Sequence, residues 1–325
     1  MKGIYKIAGV VAGLAVVVSG HPTPQEKREA AAPGGITDTD ILQLSRARVS
    51  GGKRDELTQL YSALTLEHLE STFYSDGFKK FPDSDFLALG LQQSDVDDLK
   101  QIGQTEATHV KTLQTVLQAA GQTPVQPCTY NFGFTNAAGM VATARILEAV
   151  GISAYIGAAP LVNSSDILTA AATIVTVEAR HQTFIRLASG AQPVPGAFDT
   201  PLGVRGVFTL AAAFIQSCPQ GSSLPIQPFA ALQVNNNVNI TAGTTLSLMD
   251  PNQLQQLGGV AFCAFTGGDG TQFVGLAGGS CTVPNGLTGE IYLTLTKDGK
   301  TLSDDQVLAG SVFPPACVLG SPLTG

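Results

Sequence analysis

Basic residues are scarce in this chain: 18 Lys and Arg stand against 25 Asp and Glu, for a formal net charge of −7 and a pI near 5.0. Binding to a nucleic-acid backbone depends on clustered Lys and Arg, so no nucleic-acid partner is expected. Charge as a whole is sparse at 13%, whereas 44% of the residues are hydrophobic. That is too apolar for disorder and, over 325 residues, enough for two ordinary cores. Long apolar runs are also missing. The run from Ile7 to Val18 falls short of the roughly 20 residues of a spanning helix, and nothing later is continuously apolar for that length, so no membrane partner is expected. Closely spaced cysteines are absent too. Cys128, Cys218, Cys263, Cys281 and Cys317 lie too far apart for a thiolate metal site. They suit an oxidising compartment, their odd number leaves one unpaired, and spacing does not give their connectivity.

Lys2 and Lys6 precede the early apolar run and the small residues Ser19 and Gly20 follow it, which is the pattern of a signal peptide over residues 1–20. Residues 21–35 are rich in Pro, Ala, Gly and charge and carry the dibasic pair Lys27-Arg28 ahead of Glu29-Ala30, as a propeptide would; they are not expected to fold. Two sequons, Asn163-Ser164-Ser165 and Asn239-Ile240-Thr241, are compatible with glycosylation of an exported chain.

From about residue 53 to 190 apolar residues recur at helical spacing, and four helices can be placed. The first runs from about Asp55 to Tyr74 and ends near Asp76-Gly77. The second starts at Ser94 as cap, with Asp95, Asp97 and Asp98 favouring the positive helix end, and stops at Gly121. The third covers about Ala137 to Ala159 and meets Pro160; the fourth runs from about Ser165 to Ser189. Helices of this length describe a bundle. After about residue 222 the character changes to short β-branched runs punctuated by Gly and Pro, among them Val238 to Leu248, Val260 to Phe265, Gly289 to Lys297 and Gln306 to Val312. This reads as an all-β sandwich of immunoglobulin-like type. The expected order is a bundle over 36–190, an ordered connector over 191–225 that holds Cys218, and a β domain over 226–325.

Glutamate and histidine are the scarce residues that matter most. Beyond residue 35 there are seven of the first and three of the second. Two of the histidines sit three residues after a glutamate, in Glu106-Ala107-Thr108-His109 and Glu178-Ala179-Arg180-His181. On a helix, i and i+3 project to one face, so each pair can offer a carboxylate and an imidazole to one metal. The other two helices repeat a different pattern: Glu67 with Tyr74 and Glu148 with Tyr155, seven residues or two turns apart. The order Glu-x6-Tyr, Glu-x2-His, Glu-x6-Tyr, Glu-x2-His is an internal duplication. Four carboxylates and two imidazoles in one bundle are the ligand set of di-iron or di-manganese proteins. Two divalent ions would balance charges that are otherwise very costly to bury. Tyr74 and Tyr155 either pack in the core or hydrogen-bond a metal-bound carboxylate. His68 points about 100° away from Glu67 and is expected to pack or face solvent. Glu70 lies one turn from Glu67 and could replace it, but the match of Glu67 with Glu148 in the duplication favours Glu67.

At these motifs, and in Leu64 to Tyr74, Glu148 to Pro160, Glu178 to Gln182 and Phe198-Asp199-Thr200-Pro201-Leu202, the chain resembles the secreted ferritin-like family, which includes fungal stress-response and late sexual development proteins and plant desiccation-related proteins. The resemblance covers about residues 36–230. It implies a ferritin-like four-helix bundle with two metals and a β domain beyond it, an α+β multidomain chain. One departure stands out: Leu44 to about Tyr61 is interposed between Asp38-Thr39-Asp40-Ile41-Leu42-Gln43 and Ala63 to His68, as a retained intron would be. If it is genuine, the first helix begins late or is broken.

Two functions follow as expectations. In one, Fe or Mn held by Glu67, Glu106, His109, Glu148, Glu178 and His181 reacts with dioxygen or peroxide, with Glu67 and Glu148 terminal and Glu106 and Glu178 bridging. In the other, a non-catalytic protein of the cell wall or extracellular matrix uses the metals only to hold the bundle together. A bulky β domain and glycans argue against an iron-storing shell.

Overall fold

A computed structural model of the chain describes residues 53–234, 240–248, 261–312 and 318–319. The expected signal peptide and propeptide, the sequon residue Asn239 and Cys317 lie outside them, as do Val238 and Val260, the starts of two expected strands.

The helices are α1 (Lys53–Lys80), the short α2 (Asp83–Leu87), α3 (Gln93–Ala119), α4 (Ala137–Ala158), followed by a 3₁₀ turn, α5 (Ser165–Ala188) and α6 (Val204–Ala212). The long helices α1, α3, α4 and α5 make the bundle, with α1 packed along α3 and α4 along α5. Each begins or ends for a local reason. The Asn136 carboxamide accepts from Gly139 N at 2.8 Å, which caps α4. Ser164 Oγ accepts from Ile167 N at 3.3 Å at the start of α5. The buried Glu56 carboxylate reaches the same end and accepts from the Asn163 and Ser164 amides, both at 2.6 Å, a favourable place for negative charge.

Two boundaries differ from expectation. The first helix passes Asp76-Gly77 and ends only before Pro82. Gly77 is a packing residue here, since a Cβ would lie 2.3 Å from Met140 Cε. The second helix is capped at Gln92, whose amide donates to Asp95 Oδ2 at 2.7 Å, and Ser94 lies inside it. The connector also holds more structure than its Pro and Gly content suggested. It contains α6, which packs on α1 and α4, and the strand β2 (Ile215–Ser217), which pairs with β1 (Thr129–Tyr130) next to the Cys128–Cys218 disulfide. From Lys53 onward α1 is unbroken, and Glu56, Leu60 and Leu64 are buried, so the C-terminal part of the interposed segment is built into the bundle.

The β-rich region comprises β3 (Thr245–Ser247), β4 (Phe262–Gly267), β5 (Gly270–Gly275), β6 (Ser280–Thr282), β7 (Gly289–Glu290), β8 (Tyr292–Thr296), β9 (Val307–Val312) and β10 (Val318–Leu319). The strands β5, β4, β8 and β9 form a four-stranded antiparallel sheet, with β3–β6 and β7–β10 as further antiparallel pairs. Phe265, Leu293, Leu295, Leu246 and Ile291 fill its core at 0% exposure. Helices and strands belong to one compact unit. Tyr292 on β8 is buried against α4, its hydroxyl 2.9 Å from Ser153 Oγ and donating to the Ala149 carbonyl at 3.1 Å. Gly157 lets the chain at Leu202 cross α4 closely, for a Cβ there would sit 1.8 Å from the Leu202 carbonyl oxygen. Ala137–Leu161 is long and apolar enough to cross a membrane, but its apolar 18-residue stretch is 61% buried here as the core helix of the bundle.

Candidate metal centre

The four long helices converge their carboxylates midway along the bundle. Glu67 on α1, Glu106 on α3, Glu148 on α4 and Glu178 on α5 are all buried to 1% exposure or less, with His109 and His181 at 7%. They fall into two overlapping groups: Glu67, Glu106, His109 and Glu178 in one, and Glu106, Glu148, Glu178 and His181 in the other. Each group draws ligand-type atoms from three helices, and Glu106 and Glu178 belong to both. The α1–α3 pair and the α4–α5 pair contribute equivalent residues, as the duplicated sequence pattern requires.

Both imidazoles turn Nδ1 inward, their rings 6.3 Å apart. His109 Nδ1 lies 3.2 Å from Glu67 Oε2, 3.1 Å from Glu106 Oε2 and 3.0 Å from Glu178 Oε1. His181 Nδ1 lies 2.8 Å from Glu106 Oε1 and 3.2 Å from Glu148 Oε2. A ring nitrogen carries at most one N–H and can satisfy one good acceptor. Glu67 Oε2, Glu106 Oε1 and both Glu178 oxygens are buried without a hydrogen-bond partner. Three of these oxygens lie 2.8–3.2 Å from a histidine nitrogen, whose one N–H cannot serve them all. Buried carboxylate oxygens are seldom left so, and several of them around one imidazole nitrogen are the donor set of a hard or borderline cation. Both groups could hold metal ions.

Electrostatics carries the same message. Burial, and then the neighbouring Glu148, push Glu106 up to about 7. Burial, then Glu106 and Glu148, hold Glu178 well above the usual carboxylate range. For His181 burial works the other way, but the adjacent Glu106 and Glu148 carboxylates outweigh it and lift the imidazole to about 9. His109 is raised for the same reason by Glu106, Glu178 and Glu67. The cluster without metal therefore gathers protons, which is how a site built for cations behaves.

The two tyrosines cross the pseudo-symmetric site. The Tyr74 hydroxyl on α1 donates to Glu148 Oε1 on α4, and that of Tyr155 on α4 to Glu67 Oε1 on α1, both at 2.5 Å. Of the two expectations for these residues, the hydrogen bond to a ligand-type carboxylate is what the structure contains. Each tyrosine holds one oxygen of its glutamate so that the other faces the cluster. Burial and the adjacent carboxylate push both phenols up, so they remain donors. His68 packs away from the site and its Nε2 meets the Val125 carbonyl at 3.1 Å; burial lowers its pKa, so it is a neutral N–H donor. Glu70 joins neither group but is buried at 3% exposure beside them.

Residues 55–191, which carry all six of these ligand-type glutamates and histidines, match the family model of the ferritin-like domain. Among curated proteins, Protein rds1 of Schizosaccharomyces pombe (strain 972 / ATCC 24843) is 26% identical over 186 residues, 56% of this chain and 46% of that protein. The similarity thus spans about half the length of the curated relative. Among solved structures, that of a conserved hypothetical protein, rv2844, from Mycobacterium tuberculosis aligns with 46% of this chain and 99% of its own, at 20% identity and a TM-score of 0.37.

Proposed function

We propose that this chain is an exported ferritin-like protein that holds two iron or manganese ions between Glu67, Glu106, His109, Glu148, Glu178 and His181. It would use them in redox chemistry with dioxygen or peroxide, in protection during stress or development. The observation that carries this is the convergence of unpartnered carboxylate oxygens on both inward Nδ1 atoms. Bound there, a pair of such ions supplies one-electron chemistry toward oxidants, and carboxylate donors favour the higher oxidation states.

The protein's own residues have distinct tasks in this reading. Glu106 and Glu178 belong to both groups and would be shared by the two ions. Glu67 and Glu148 each serve one group, oriented by Tyr155 and Tyr74. Burial of the carboxylates at 0–1% exposure keeps bulk water from the cluster. Export is supported by the disulfides Cys128–Cys218 and Cys263–Cys281 and by the exposed position of Asn163 in its sequon. The second disulfide joins β4 of the four-stranded sheet to β6 of a separate pair, which supports reading the β-rich region as an immunoglobulin-like sandwich.

The test is elemental analysis of protein secreted by a eukaryotic host, wild type against Glu106→Ala/Glu178→Ala, followed by oxygen consumption on adding Fe(II) to metal-free protein. About two metals per chain, lost in the variant, together with metal-dependent oxygen uptake, are expected. Metal without turnover would leave a metal-stabilised, non-catalytic wall or matrix protein, and no metal in either form would refute the site.

A further inference from the structure

The internal duplication is broken at one position beside the metal centre. The offset of 81 residues that relates Glu67 to Glu148 and Tyr74 to Tyr155 relates Glu70 to Gly151. The two positions are complementary in space. A Cβ at Gly151 would fall 3.0 Å from Glu70 Oε1 and 3.3 Å from Glu178 Oε2. The glycine on α4 thus leaves the room that the extra carboxyl on α1 occupies, and Glu70 and Glu178 flank the same spot. A symmetric bundle needs no such carboxyl.

Glu70 also has an outward side. It lines a cavity of about 290 Å³ between α1, α4 and α6, walled by Leu66, Leu69, Val150, Leu210 and Phe214 among others, with the exposed Ala213 and Ala231 at its rim. Thr209 is the other polar side chain of the wall, and its hydroxyl is engaged, donating to the Arg205 carbonyl at 2.7 Å and accepting from Phe229 N at 2.9 Å. The Glu70 carboxyl has no hydrogen-bond partner among the described residues. It is the single free polar group of an otherwise apolar pocket, and it stands between that pocket and the carboxylate cluster.

From this geometry we infer that the pocket binds a small uncharged organic molecule with an apolar body and a hydroxyl end, the hydroxyl pairing with Glu70 beside the metal centre. As a substrate site for the proposed redox chemistry it rests on that reading; as a binding site it does not. The volume approaches the lower range of small-molecule pockets, roughly 300 Å³, and far exceeds what one dioxygen or peroxide molecule fills. Among the side chains of the wall a cation would meet one carboxyl, with the Thr209 hydroxyl already engaged and the remainder apolar. An anion would meet Glu70 and, behind it, Glu178, Glu67, Glu106 and Glu148. A hydroxyl can both donate and accept, so it matches a carboxyl in either protonation state.

The probes are phenol, benzene and benzoate, titrated calorimetrically into metal-free and metal-loaded protein at neutral pH. Phenol is expected to bind saturably to both forms and benzoate to neither. Glu70→Leu should weaken phenol at least tenfold while leaving benzene bound and the metal content unchanged. Leu210→Trp, or Ala231→Trp at the exposed rim, should abolish binding of both neutral probes, with helical circular dichroism confirming the fold. Phenol affinity unaffected by Glu70→Leu, or no binding of either neutral probe, would overturn the inference. So would loss of metal in Glu70→Leu, which would make Glu70 part of the metal-holding set. Because binding to the metal-free form is read separately, failure of the metal centre and failure of the pocket give different results.

Discussion

Two of the four ligand-type glutamates, Glu148 and Glu67, take their orientation from a tyrosine hydroxyl. Replacing Tyr74 by Phe removes the donor to Glu148 Oε1 but keeps the ring in its core position, where Tyr74 is 1% exposed. Groups that orient metal ligands contribute about 10–100-fold in metal affinity, so chelator competition on Tyr74→Phe should show weakening in that range with two metals still bound at saturation. Tyr155→Phe should behave alike, since its bond to Glu67 is the equivalent one. The Glu-x-x-His pairs and the Glu–Tyr spacing were legible because helical geometry ties residues three and seven apart to one face. The tyrosine partners were not, because each bond crosses to the other half of the molecule. Spacing presents Glu70 only as a possible replacement for Glu67, since nothing in it shows that Gly151 opens space for a further carboxyl. The pair of Arg186 and Glu290 was invisible for a similar reason: the two lie 104 residues apart and meet only where β7 docks on α5. Both are buried, at 1% and 8% exposure, and breaking such a pair strands a charge at a cost of about 3–5 kcal/mol. Arg186→Leu is expected to lose about that much in chemical denaturation, and Arg186→Leu/Glu290→Gln clearly less.

Among the elements, the long helices announced themselves through apolar periodicity, and their bounds fall within a few residues of the expected ones. The exception is the end of α1, where glycine served packing rather than termination. Helix α6 went unnoticed because nine residues give little periodicity and Pro and Gly surround them. Its placement hangs on Gly157, where the chain entering α6 crosses α4 in backbone contact. Gly157→Ala should force Leu202 away and destabilise the protein by about 1–3 kcal/mol, the usual range for overpacking, read as a lower denaturation midpoint with metal content retained. In the β-rich region β3, β4, β7, β8 and β9 fall in or overlap the runs named from sequence, whereas β5 and β6 do not, and the pairing into one four-stranded sheet and separate two-stranded pairs was not legible. Pairing is decided by contacts between residues far apart in sequence.

At the scale of the whole molecule, the cluster couples folding to protons and, in the proposed function, to metal. Glu106 is raised to about 7, so the folded metal-free chain keeps a proton that the unfolded chain has already lost above the ordinary carboxylate range. Its contribution to stability therefore falls as pH rises toward and through 7. His181 acts in the same sense: its contribution is complete below the ordinary imidazole value and is lost as pH rises through about 9. Metal-free protein should thus melt at progressively lower temperature from pH 5 to pH 9. Metal replaces those protons, so the rise in melting temperature on loading should be greatest at the alkaline end and vanish on acidification, with protons released on loading at neutral pH. A melting temperature of the metal-free form that climbs over this range would contradict the electrostatic account.

The account stands or falls on what occupies the space between the four helices. Anomalous diffraction from crystals of the protein loaded with Fe or Mn, collected on either side of the metal absorption edge, tests this directly. The account predicts two peaks, one beside Nδ1 of each of His109 and His181, with Glu106 and Glu178 reaching both. A single peak, peaks away from these residues, or none from fully loaded protein would contradict it.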